Sequence, residues 1–110
     1  MTVRETDTID YIYLEEENHA PVLVVSDPMG WKPQEEEAHL DLLMEKLNTQ
    51  IAFVGSGEIA KVWPEHGEDD PVWVEVAAQC ALSPKAEAFY HQAGRMMADA
   101  NINLRFMLLY

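Results

Sequence analysis

Histidines next to carboxylates are where this chain could first hold chemistry. His39 follows Glu35 by four residues, which would place both on one helix face, and His66 stands inside the acidic run "EHGEDD", Glu65–Asp70. A zinc site needs three or four converging ligands, with a spacing such as H-E-x-x-H. His19, His66 and His91 are scattered instead, and the Glu35–His39 pair alone reads as plain helix surface. A calcium loop needs oxygen ligands in regular alternation. Glu65, Glu68, Asp69 and Asp70 lack it, so the run reads as a solvated loop. We expect no metal site and no cofactor.

Nucleophiles give no stronger signal. Cys80 is the single cysteine and follows an apolar run, as a small buried residue would. Ser56 in "GSGEI" lies between glycines, but a helical pattern precedes it where a nucleophile elbow needs a strand, and the motif is not G-x-S-x-G. Paired acids for general acid–base work require a pocket, which nothing in the sequence locates. The expectation is a protein that is not an enzyme.

The elements that would position these groups are legible from periodicity. "TIDYIYLE", Thr8–Glu15, is β-branched and aromatic and predicts a strand; Glu16–Pro21 is its turn, and "VLVVS", Val22–Ser26, a second strand apolar enough to be central. Asp27-Pro28 and Met29-Gly30 are turn chemistry, and Pro33 suits the first position of a helix. Glu35, Glu36 and Glu37 then favour its positive end. Leu40, Leu43, Leu47, Ile51 and Val54 recur at three- and four-residue steps, with Asp41, Glu45, Asn48 and Gln50 mostly off the stripe. "GSG", Gly55–Gly57, ends that helix, and Glu58–Pro71 is a short helical turn or irregular connector.

"VWVEVAAQ", Val72–Gln79, alternates as a third strand. Ser83 and Pro84 are a cap and a first helical residue, and Ala86, Phe89, Tyr90, Ala93, Met97 and Ala100 form the stripe of a second helix ending at Ala100–Asn103. Leu104–Tyr110 is a last strand. The order β-β-α-β-α-β predicts a single α+β domain over residues 1–110, a four-stranded mixed sheet with two helices on one face. The other face must be solvated, self-paired or covered, and Tyr11, Tyr13, Trp73 and Phe106 are candidates to lie on it.

Charge sets the partner class. The 110 residues hold 20 acids and 7 bases, a formal net charge of −13. Residues 1–75 carry 18 of the acids and 4 of the bases, so the field is lopsided. Phosphate recognition is built on Lys and Arg, so nucleic acid and anionic membrane are poor partners, whereas a cationic protein would be steered inward. No apolar run approaches the roughly 20 residues of a membrane span, and "MTVRETDTIDY" lacks the pattern of a signal peptide. With one cysteine, this leads us to expect a cytoplasmic protein.

Several stretches together resemble a family of small bacterial proteins whose domain has no assigned function. They are "DTID", "VVSDPMGW", "HLDLLMEKLN", "AFVGSGEI" and the closing "NLRF". The most specific parts are the S-D-x-x-x-W turn and the H-L-x-L-L-x-x-K-L-N helix. The resemblance implies a compact α+β domain and brings no catalytic residues. By looser analogy of size and charge, the chain is similar to immunity proteins that neutralise a cognate toxin. A basic toxin, for instance a nuclease, would then be masked by Glu15, Glu16, Glu17, Glu35, Glu36, Glu37, Glu65, Glu68, Asp69 and Asp70, with Trp31 as an aromatic anchor. The competing expectation is a homodimeric scaffold or small-ligand regulatory domain, formed by pairing the open sheet faces.

Overall fold

The computed structural model describes residues 9, 11–15, 20–62 and 71–109. Its elements in chain order are β1 (Tyr11–Leu14), β2 (Pro21–Asp27), α1 (Glu36–Gly55), the single turn α2 (Ile59–Val62), β3 (Val72–Ala78), α3 (Pro84–Asp99) and β4 (Ile102–Leu108). The four strands form one mixed sheet in the order β1-β2-β3-β4. β1 runs antiparallel to β2, with Tyr11 opposite Val24 and Leu14 opposite Pro21. β2, β3 and β4 are parallel. No described helix is long and apolar enough to cross a membrane.

This topology puts both helices on one face. The crossovers β2-α1-β3 and β3-α3-β4 step the same way across the sheet, and right-handed crossovers that do so stack their helices together. Register shows which side chains they cover. Leu23 lies opposite Val74, which lies opposite Leu104, and Val25 lies opposite Val76. These residues pack with Leu43 and Leu47 of α1 and Ala93 and Met97 of α3 in a single core. Burying each such side chain contributes roughly 1.5–3 kcal/mol.

The opposite face carries Tyr13, Val22, Trp73 and Asn103 in one row and Val24, Glu75 and Arg105 in the next. The side chain of Tyr11 is outside the described ones, while Tyr13 and Trp73 lie on the face expected of them. Phe106 does not. It lies opposite Val76, on the helix side, with its ring 5.5 Å from that of Tyr90 on α3. The β4 alternation alone could not choose between the faces.

Element ends moved for physical reasons. α1 begins at Glu36, three residues after Pro33, behind a turn in which Lys32 O accepts from the N–H groups of Glu35 and Glu36. It ends at Gly55, and Gly57 takes the left-handed conformation (φ 82°) that a side chain would strain. β4 starts at Ile102, two residues early, because Asn101 itself turns the chain at φ 61°. Asparagine tolerates this conformation better than most residues. The α1 stripe is also rotated. His39, Leu43, Lys46, Leu47 and Gln50 are its buried residues, while Leu40, Ile51 and Val54 are only half-buried. His39 and Gln50, read as surface and off-stripe positions, are fully buried.

Candidate functional site

Three places gather polar or aromatic side chains: the β2–α1 junction, the open sheet face, and the outer surface of the two helices. They differ in what their polar atoms already do.

At the junction, Asp27 ends β2 and His39 lies in the first turns of α1, 1% and 0% exposed. Asp27 Oδ1 accepts from the Met29 N–H at 3.1 Å, so the strand leaves through an Asx-type turn. The imidazole Nε2 lies 2.8 and 2.6 Å from the two carboxylate oxygens. Its other nitrogen, Nδ1, lies 2.8 Å from Gly30 O. A carbonyl only accepts, so Nδ1 carries a hydrogen and donates it, while Nε2 faces the carboxylate. Both ring nitrogens are therefore occupied. A histidine acting as base, or as a metal ligand, must turn one nitrogen to the substrate or ion. Trp31 closes the arrangement, its ring stacked on the imidazole at 3.6 Å between centroids and 17° between planes. The junction is a clasp holding strand end to helix start.

The open face is similarly satisfied. Arg105 Nε donates to Glu75 Oε1 at 2.9 Å and its Nη2 to the Tyr13 hydroxyl at 3.0 Å, while Nη1 reaches Glu15 Oε1 at 3.4 Å. Its guanidinium lies 5.2 Å from the centre of the Trp73 ring. Burial opposes the arginine's charge, yet the Glu75 carboxylate, with Glu15 beyond it, outweighs that and holds its pKa above the ordinary value.

The sequence-predicted partner residues divide accordingly. Glu15 pairs with Arg105. Trp31 lies on His39. Glu35 Oε1 accepts from the Lys32 N–H at 3.3 Å. Glu36 Oε2 accepts at 2.6 Å from the hydroxyl of Ser83, the same hydroxyl that caps α3 by accepting from Ala86 N. Glu37 alone of the five is exposed, and it pairs with Lys85 across the two helix starts. Glu16, Glu17, Glu65, Glu68, Asp69 and Asp70 lie outside the described residues. Among the described residues no three His, Cys, Asp or Glu side chains are grouped as metal ligands.

The outer helical surface is the remaining candidate. Glu37, Asp41 and Glu45 follow one another at four-residue steps on the exposed side of α1, and the only base of that helix, Lys46, is buried. Beside this ridge, Met44 is 50% exposed on α1 and Met96 53% exposed on α3. Sequence reading missed both methionines. Met44 stands four residues after Leu40 and three before Leu47, and Met96 three after Ala93 and seven after Phe89, so periodicity puts both at the edge of a buried stripe and gives no sign of their exposure. For His39 the signal was its place four residues before Leu43 and eight before Leu47.

Fold and surface together define a small α+β domain whose polar clusters are structural and whose helical side is acidic. The chain belongs to the family of unknown function DUF6572, whose model matches residues 1–109. The match agrees with the family resemblance read from the S-D-x-x-x-W turn and the H-L-x-L-L-x-x-K-L-N helix, and brings nothing to the immunity-protein analogy. No curated protein and no solved structure matches the chain. Those two stretches meet in the clasp, where they supply Asp27, Trp31 and His39.

Proposed function

We propose that the protein is a binding protein without catalysis of its own, and that its partner is a basic protein. In its specific form the partner is a toxin, a nuclease in the first instance, whose cationic site the acidic chain masks as an immunity protein does. The observation that carries this reading is the pair of exposed carboxylates Asp41 and Glu45 on α1, with no ion-pair partner among the described residues, beside Glu37, which Lys85 of α3 already partners. With a net charge of −13 behind it, such a ridge attracts cations over roughly the Debye length, about 8–10 Å at physiological salt. A nuclease must hold phosphate with lysines and arginines, and carboxylates compete for the same groups.

The test is isothermal titration of the purified chain with the basic domain of a toxin encoded beside it, at low and at high salt. Association that weakens as salt rises, together with restored growth when chain and toxin are co-expressed, is the expected result. Salt-independent association, or none at either ionic strength, would reject the carboxylate mechanism.

A further inference from the structure

We infer that the trough between α1 and α3 receives a basic amphipathic helix of the partner protein. This rests on the reading above that the partner is basic, and adds where and in what shape it is held. Each helix links two parallel strands and runs opposite to them, so α1 and α3 lie side by side in the same direction. Between them is a cavity of about 260 Å³. Its floor includes Leu47 and Ala93, 2% and 6% exposed, and its walls include Met44, Met96 and Phe89. Asn48 and Gln92 add one polar group from each helix. The Glu37–Lys85 pair bridges the helices at their N-terminal ends.

Three features select the occupant. A trough between two helices offers no free backbone edge, so an extended strand would find nothing to pair with, whereas a helix can lay an apolar stripe into it. Its walls are methionine thioethers, which are flexible and polarisable and repack around varied apolar side chains. Its α1 border is anionic: Asp41 stands one turn and Glu37 two turns before Met44 and Glu45, along the flank of any helix seated there. Lysines or arginines beside the apolar stripe complete that border. A second copy of this chain would oppose ridge to ridge, and an anionic membrane would be repelled in the same way.

The chain's six methionines supply the experiment. The full chain, carbon-13 labelled at the methionine methyls, is titrated with a synthetic helical peptide of about 18 residues, five turns, built from leucine and lysine with all leucines on one face. A scrambled peptide of the same composition is the control, and Met107, 44% exposed on β4, is the internal reference. The Met44 and Met96 signals should move and saturate at one peptide per chain while Met107 stays still. Asp41→Lys with Glu45→Lys, both exposed and distant from the core, should weaken binding about tenfold. Equal binding of the scrambled peptide, or movement of Met107 without Met44 and Met96, would overturn the assignment. So would Met44 and Met96 signals that change with protein concentration alone, which would place a second copy in the trough. Salt-sensitive binding that leaves Met44 and Met96 unmoved would remove this site but spare the basic-partner reading; no binding of the basic peptide would remove the site, and failure of the toxin titration would remove the reading itself.

Discussion

The β2–α1 junction and the outer helical ridge hold carboxylates in opposite conditions. At the junction a carboxylate and an imidazole are packed out of solvent under a half-buried indole, and both imidazole nitrogens have partners within the chain. On the ridge, Asp41 and Glu45 face solvent and make no ion pair with any described residue. The more catalytic-looking group is thus the less available one. A polar residue can act on another molecule only with hydrogen-bonding capacity the fold has not already used.

That contrast can be broken by mutation. The largest expected effect is at the clasp. His39→Ala leaves the Asp27 carboxylate buried without its counter-group and should destabilise the fold by about 3–5 kcal/mol, read from the urea unfolding midpoint. A much smaller loss would mean that water replaces the imidazole and the clasp is dispensable. Next is Arg105→Ala on the open face. It removes the strongest partner of Glu75, which is 6% exposed, and should cost about 2 kcal/mol by the same measurement. Ser83→Ala removes the cap of α3 and its link to Glu36, with an expected loss of about 1 kcal/mol.

Tyr90→Phe should go the other way. The Tyr90 hydroxyl is shut off from solvent without a hydrogen-bond partner among the described residues, so its removal should leave stability unchanged or raise it by up to about 1 kcal/mol. Burial, and after it the charge of Asp27, raises the pKa of this phenol. The unfolded chain releases the proton near pH 10, while the folded chain retains it. Stability from this group is complete below about pH 10 and falls as pH rises further, because ionisation then favours the unfolded state. The phenylalanine variant should lack that part of the alkaline decline, and an unchanged alkaline limb would contradict it. The smallest effect belongs to the ridge: Asp41→Lys with Glu45→Lys should shift stability by no more than about 0.5 kcal/mol. A larger loss there would erase the distinction between the two regions.

The sequence made the fold legible where periodicity and punctuation agreed. Strands of β-branched residues, the Ser83-Pro84 start and the glycines after Val54 placed the elements and their order, and connection rules then placed both helices on one face. The site was less legible. Asp27 and His39 stand twelve residues apart across a turn, and only the packed structure shows that they meet. Glu35 and Glu36 read as free charge, but their nearest donors, Lys32 N and Ser83 Oγ, depend on a turn and on a helix 47 residues away. Phe106 could have faced either way until register fixed it.

Strands follow one another across the sheet in the order in which they follow one another along the chain. Assembly therefore only ever extends an existing edge, and no strand has to be inserted between two already joined. The two crossovers differ in length: residues 79–101 separate β3 from β4, whereas residues 28–71 separate β2 from β3. Loop-closure entropy favours the shorter, so joining β4 to β3 costs about 0.6 kcal/mol less chain entropy than joining β3 to β2.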